Sequence, residues 1–366
     1  MATVLARARM ARLARIRPPL THPGGARNGN GISPRPRPLN DNMATSTPAS
    51  APGPVPASKP LGSLSVSPLS LGGNVFGWTA DTTTSFEVLD AFTAAGGNFV
   101  DTADAYSFFA PGNKGGESEA IIGDWHTARG RRSDLVIATK VGALPERKGL
   151  SAATIKAAVD ESLTRLRTDY IDLYYTHYDD ESVEVSEIIS TLDELVKAGK
   201  VREIGASNIS PERLRESLEF SDREGLAKYV AVQPHYNLVS RDTYEGPLRD
   251  VAAQHGLGAM PYYGLASGFL TGKYRPGTDV ESARSGKAAE HLATERGRRV
   301  LAALDEVAER HGAEQATVAL AWLAAQPTVT APIASARTVA QLPALMALST
   351  LRLTKEDVSQ LTEASE

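Results

Sequence analysis

From Leu61 onward, short runs of β-branched and apolar residues alternate with longer stretches in which apolar positions recur every three to four residues. The first pattern suits strands buried on both faces, and the second suits helices with one core-facing stripe. Their alternation signals repeated βα units around a parallel sheet. The helical spacing is clear in Val185, Ile188, Ile189, Leu192, Leu195 and Val196, and Gly199 stands where such a helix would end. Further helices are expected from Ser85 to Ala95 with Gly96 after it, from Ser151 to Leu166, and from Ser210, an N-cap followed by Pro211 at the first helical position. Candidate strands run from Ser70 to Gly72, Phe99 to Asp101, Val136 to Lys140, Ile171 to His177, Ile204 to Ser207, Val230 to Pro234, Gly258 to Tyr262 and Thr330 to Ala334. Eight strands with intervening helices, and no G-x-G-x-x-G after the first, favour a closed (β/α)8 TIM barrel over an open doubly wound sheet.

Residues 1–60 differ from this pattern. Arg7, Arg9, Arg12, Arg15, Arg17, Arg27, Arg35 and Arg37 all precede the first acidic residue, Asp41, and proline, glycine, alanine and serine fill much of the rest. Such a segment buries too little apolar surface to offset its ordering entropy, so a disordered extension is expected ahead of a single barrel domain at 61–366. An arginine-rich, acid-free start also has the composition of an organellar transit peptide; the other reading is that translation begins at Met43. The location expected is cytoplasmic, or an organelle if the extension is a transit peptide.

Composition narrows the chemistry. No apolar run approaches the roughly 18 residues of a membrane-spanning helix, so no membrane partner is expected. The formal net charge is −4, and past position 60 basic residues alternate with acids, leaving no stripe suited to nucleic acid. The chain has no cysteine, and its 7 histidines show no paired ligand spacing, so no metal site is expected. Oligomeric state is not legible. Catalysis falls to carboxylate, lysine, tyrosine, histidine or an organic cofactor.

Polar residues gather where the candidate strands end. Asp101 closes Gly-Gly-Asn-Phe-Val-Asp, Lys140 closes Asp-Leu-Val-Ile-Ala-Thr-Lys, and His177 closes Tyr-Ile-Asp-Leu-Tyr-Tyr-Thr-His. In a barrel all three project to the C-terminal mouth, where such enzymes place their active sites, and Tyr106 lies on the loop rimming it. Each has a plain alternative, as helix cap, solvated lysine, satisfied histidine or loop packing; four ionisable groups on one face weigh against that. A neighbouring ammonium stabilises a phenolate, so Lys140 is expected to lower the Tyr106 pKa, with Asp101 holding the lysine charged. His177 is placed to bond the phenol or a carbonyl oxygen. A proton donor aimed at a carbonyl needs a hydride source, and a nicotinamide supplies one.

Asp-Thr-Ala-Asp-Ala-Tyr at 101–106 and Gly-Glu-Ser-Glu-Ala-Ile-Ile-Gly at 116–123 resemble the signature of the aldo-keto reductase superfamily. The resemblance continues through Gly-Ala-Ser-Asn at 205–208, Gln233 with Tyr236 and Asn237, Tyr262 to Tyr274, and Pro-Ile-Ala-Ser-Ala-Arg-Thr at 332–338, covering essentially everything from Leu61. It implies a catalytic tetrad of Asp101, Tyr106, Lys140 and His177. It further implies that Ser207, Asn208 and Gln233 hold the nicotinamide carboxamide, that Tyr262 stacks on its ring, and that Leu265, Ser267, Gly268 and Leu270 wrap the pyrophosphate, with Lys273 adding charge. Gly73 and Asn74 join the implied cofactor set. Ser335, Arg337 and Gln341 fall at the adenosine end, where an arginine facing a 2′-phosphate favours NADPH (NADP+) over NADH.

The activity so implied is reduction of a small-molecule aldehyde or ketone. Trp78, Phe108 and Phe109 are candidates for an apolar substrate wall, or for plain loop packing. Tyr263-Gly264 stands where many members have serine and proline. The motifs are also similar to the branch that includes potassium-channel β-subunits, which leaves a cofactor-loaded NADP(H)-binding regulatory subunit as the alternative. A phosphate-binding isomerase on the same fold is a third reading, disfavoured by the nicotinamide-contacting set.

Overall fold

Two apolar runs, Val136–Val141 and Ile171–Thr176, are buried at every position, as strands must be when side chains fill one face and helices cover the other. A computed structural model describes residues 57–275 and 285–366. In it, strands β3 (Ser70–Gly72), β4 (Phe99–Asp101), β5 (Val136–Val141), β6 (Ile171–Thr176), β7 (Val201–Ser207), β8 (Tyr229–Gln233), β9 (Gly258–Ala259) and β10 (Ile333–Ala334) form one 8-stranded parallel sheet in the order β10-β3-β4-β5-β6-β7-β8-β9. The last gap is bridged by backbone bonds: the Ala259 amide donates to Thr328 O (2.8 Å), Thr330 to Ala259 O (2.9 Å) and Ile333 to Pro261 O (2.9 Å). The fold is the (β/α)8 barrel.

The outer layer comprises α1 (Thr82–Ala94), α2 (Glu117–Arg129), α3 (Ala152–Leu166), α4 (Val185–Lys197), α5 (Pro211–Glu224) and α6 (Pro247–Gln254), one after each strand from β3 to β8. Helices α7 (Ser285–Ala293), α8 (Glu295–His311) and α9 (Gln315–Ala324) separate β9 from β10; α10 (Leu342–Met346) and α11 (Lys355–Ala364) follow. Among the described residues no helix is long and apolar enough to cross a membrane. Caps follow the sequence closely. Ser151 and Ser210 accept the Thr154 and Arg213 amides (3.3 and 3.2 Å), with Pro211 opening α5. The α4 stripe buries Val185, Ile188, Ile189, Leu192 and Leu195, and leaves Val196 partly exposed.

Several boundaries differ from the sequence reading, among them the start of β7, at Val201 instead of Ile204. Helix α1 starts three residues before Ser85 because Asp81 caps it, accepting the Thr84 amide at 2.8 Å. Strands β9 and β10 span two residues each, because Pro261 and Pro332 have no amide to give the ladder. A further difference lies at the domain edge. The arginine-rich extension falls outside the described residues as far as residue 56, but Lys59 and Pro60 belong to a hairpin of β1 (Lys59–Leu61) and β2 (Leu64–Val66). Leu61, Leu64 and Val66 pack with Phe99, Val136, Leu173 and Met260 inside the barrel. These partners include the first residues of β4 and β5, so the hairpin stoppers the N-terminal end and leaves the opposite mouth open.

Helices α2 and α3 meet closely at Gly123, where an added Cβ would lie 2.4 Å from the Arg165 carbonyl oxygen. Gly123→Ala is therefore expected to cost about 1–3 kcal/mol in urea unfolding; a loss below about 0.5 kcal/mol, typical of a surface change, would contradict this packing.

Candidate active site

Asp101 ends β4, Lys140 lies near the end of β5, and His177 follows β6 directly, so the barrel brings all three to one mouth. Tyr106 reaches the same point because the chain after β4 turns back on itself, its amide donating to Ala103 O (3.2 Å). The Lys140 ammonium is fully buried and donates to Asp101 Oδ2 (2.8 Å), Thr102 O (2.7 Å) and the Tyr106 hydroxyl (2.8 Å). That hydroxyl donates in turn to Asp101 Oδ2 (2.9 Å), and Gln233 Nε2 donates to Oδ1 (2.8 Å). The His177 ring meets the Tyr106 ring edge-on at 6.0 Å, and its buried Nδ1 has no partner.

The electrostatics correct one expectation. Burial, and then the Asp101 carboxylate, push the Tyr106 phenol well above its ordinary pKa, so the nearby lysine does not lower it in the resting protein. Tyr106 is a protonated phenol. Burial pulls Lys140 below an ordinary lysine while Asp101 opposes that shift, and burial followed by the Lys140 charge holds His177 well below its usual range. The imidazole is neutral at physiological pH.

A cleft of about 1730 Å³ opens above this group and is lined by Tyr106, His177, Ser207, Asn208, Gln233 and Tyr262 among others. Asn208, with φ +48°, donates to His177 O (2.8 Å) and accepts the Tyr262 hydroxyl (2.8 Å), while Ser207 donates to Gln233 O (2.8 Å). His235 stacks on Tyr262 at 5.4 Å, a support that sequence reasoning missed although it lies between Gln233 and Tyr236. Leu265, Ser267, Gly268 and Lys273 also line the cleft. Ala266, Ser267 and Gly268 all have positive φ, a strained run for two non-glycine residues. The Gly268 and Leu270 amides are spent on Leu265 O (2.8 and 3.3 Å), whereas Ser267 and Lys273 line the cleft. Leu270 itself is fully buried in the core and does not reach the cleft.

Asn74 lines the cleft and accepts from Ser335 Oγ (2.6 Å). Gly73 lies beneath it: its amide donates to Asp101 O (2.7 Å), and a Cβ there would meet Ser118 Oγ at 2.7 Å. Arg337 and Gln341 also line the cleft, joined by the Arg337 amide donating to Gln341 Oε1 (2.8 Å). Around the mouth, Trp78 and Phe109 meet edge-on at 4.9 Å, and Phe108 contacts Phe109 at 5.7 Å. Phe108 and Phe109 are 41% and 55% exposed, so they are not simply packed away. Tyr178, stacked on His177 at 5.1 Å, and Tyr263 are further exposed aromatics on this cleft, at 54% and 40%. Sequence reading did not place Tyr178 here, because its neighbour His177 drew the chemical argument.

Residues 68–366 match the model of the aldo/keto reductase family. The chain belongs to that family. It is 34% identical to a norsolorinic acid reductase of Emericella nidulans, over 83% of this chain and 79% of the relative. It is also 34% identical to the uncharacterized oxidoreductase YrpG of Bacillus subtilis (82% and 92%), and 31% identical to an NADP(+) aryl-alcohol dehydrogenase of Phanerodontia chrysosporium (82% and 83%). Membership makes this aldo-keto reductase an oxidoreductase.

The buried pair predicts a pH signature. With Asp101→Asn the largest offset to the desolvation of Lys140 is lost, so folding should weaken by about 3–5 kcal/mol at neutral pH. The lysine pKa in the folded state would fall further below its unfolded value, so the fold binds fewer protons than the unfolded chain and stability must rise with pH. Denaturation of the variant at pH 7 and pH 10 checks this, and a variant equally unstable at both values would contradict it.

Proposed function

We propose that this aldo-keto reductase converts an aldehyde or ketone to the alcohol, with NADPH as reductant and Tyr106 as general acid. The observation that carries the reading is the Tyr106 hydroxyl: it borders the open cleft and receives a hydrogen bond from the Lys140 ammonium at 2.8 Å. A bound nicotinamide supplies the hydride; the protein supplies the proton and the geometry. Tyr106 gives its proton to the carbonyl oxygen as that oxygen gains negative charge, and Lys140 stabilises the phenolate left behind. The high resting pKa keeps the phenol protonated until then. Neutral His177 orients the oxygen as a hydrogen-bond donor without a competing positive charge.

The cofactor reading draws on the cleft's own residues. Ser207, Asn208 and Gln233 offer amide and hydroxyl groups to a carboxamide, and Tyr262 offers a ring braced by His235. Lys273 and Arg337 add two cations to the lining of the cleft, suited to a pyrophosphate and a 2′-phosphate. For the substrate, exposed Phe108 and Phe109 and the half-buried Trp78 favour an aromatic carbonyl, in line with the name of the aryl-alcohol dehydrogenase relative.

Tyr106→Phe should cut NADPH oxidation by about 10²–10⁴-fold on a panel of aryl and alkyl aldehydes, with NADPH binding followed by fluorescence within about twofold of wild type. Undiminished turnover would remove Tyr106 from the acid role. A charge-assisted bond contributes about 1.5–3 kcal/mol, so Arg337→Ala should weaken NADPH binding roughly 10- to 100-fold and leave NADH binding nearly unchanged. Equal weakening of both would remove the reason for preferring NADPH.

A further inference from the structure

A second acid sits behind the site. Asp104, on the loop between Asp101 and Tyr106, is 1% exposed, and neither carboxyl oxygen has a hydrogen-bond partner of standard geometry. The groups facing it come from every neighbouring element: Glu119 on α2, Arg165 on α3, Lys140 on β5 and Tyr174 on β6. Its own amide donates to Lys140 O (3.3 Å), so Asp104 is tied to the strand that carries the lysine.

The charges of this cluster do not balance. Asp101, Asp104 and Glu119 are buried carboxyls, three in number, against two cations, Lys140 and Arg165. Glu161, at the solvent edge 3.7 Å from Arg165, adds only more negative charge. Donors show where the surplus falls. Asp101 accepts from Lys140, Tyr106 and Gln233. Glu119 accepts from Arg165 Nε (2.6 Å) and Thr139 Oγ1 (2.6 Å). Asp104 accepts none of standard geometry, and the buried Tyr174 hydroxyl is likewise without a partner. A buried carboxylate with no donor is the costliest member to ionise.

We propose that Asp104 carries a proton in the folded protein and acts as a positioning residue, whose ionisation adds negative charge behind Lys140 and makes Tyr106 a weaker acid. The second half rests on the proposed role of Tyr106; the first does not. Consistent with this, burial and then Glu119 raise the Asp104 carboxyl to about 7, against the pull of Arg165, the Ala105 amide and Lys140. Reduction should therefore slow as pH rises through that region.

The test begins without turnover. In pH-difference infrared spectra of the full chain, a protonated-carboxyl band should disappear as pH passes about 7 and be missing from Asp104→Asn. Carbon-13 spectra of aspartate-labelled wild type should show the same titration with no mutation at all. Stability gives a second readout. Between the ordinary aspartate value of 3.8 and about 7, the fold retains a proton that the unfolded chain releases, so wild-type stability falls with rising pH there. Asp104→Asn should escape that fall and become the more stable protein above it. In single-turnover NADPH oxidation, the variant should lose the decline near neutral pH. All aspartates titrating in the ordinary range would overturn the buried proton. A neutral titration present in the spectra, with a rate decline unchanged in Asp104→Asn, would overturn the link to Tyr106. A uniform loss of rate at every pH would reduce Asp104 to a structural role.

Discussion

The ion pair between Lys140 and Asp101 is the constraint on which the site depends. An ammonium at 0% exposure beside a carboxylate at 1% carries a desolvation cost of several kcal/mol per ion. Their 2.8 Å contact, the Thr102 carbonyl and the Gln233 amide offset that cost only in one arrangement. Strands β4, β5 and β8 and the loop bearing Tyr106 must all be in place for the charges to be satisfied. The phenol inherits its position, since both of its hydrogen bonds run to this pair.

Strand β5 shows how the barrel serves the chemistry. Successive side chains of a strand face opposite ways: Ala138 packs in the interior cluster and Lys140 reaches the central pair, while Thr139 between them bonds Glu119 of the helical layer. Three consecutive residues thus link the interior packing, the buried cation and the Glu119–Arg165 pair behind it. The β1–β2 hairpin fills the other end with Leu61 and Val66, so the open space lies at the mouth where these polar groups converge.

Much of this was legible because it is local or periodic. Strand positions followed from apolar runs, the cap of α5 from a single serine, and the convergence of Asp101, Lys140 and His177 from their places at strand ends. What escaped depends on three-dimensional balance. The sign of the Tyr106 shift turns on burial and the Asp101 carboxylate, which no spacing reveals. Leu270 and Gly73 belong to recognisable motifs, yet their neighbours turn them into the core and beneath the cleft. Asp104 and Asp101 share one hexapeptide, and only the distribution of donors separates the satisfied carboxylate from the unsatisfied one.

The resting hydrogen-bond pattern also defines what the proposed reaction has to change. Tyr106 directs its proton to Asp101, not into the cleft, so proton delivery requires the hydroxyl to exchange an anionic acceptor for a carbonyl oxygen. A neutral carbonyl competes poorly with a carboxylate, whereas an oxygen gaining negative charge competes well. Asp101 tolerates the loss because Lys140 and Gln233 still donate to it. Lys140 stays within reach of the phenolate, so the negative charge left when the proton departs meets a cation where it forms. The arrangement thereby favours proton release late, when the carbonyl oxygen has become the better acceptor, and resists loss of the proton from an empty site.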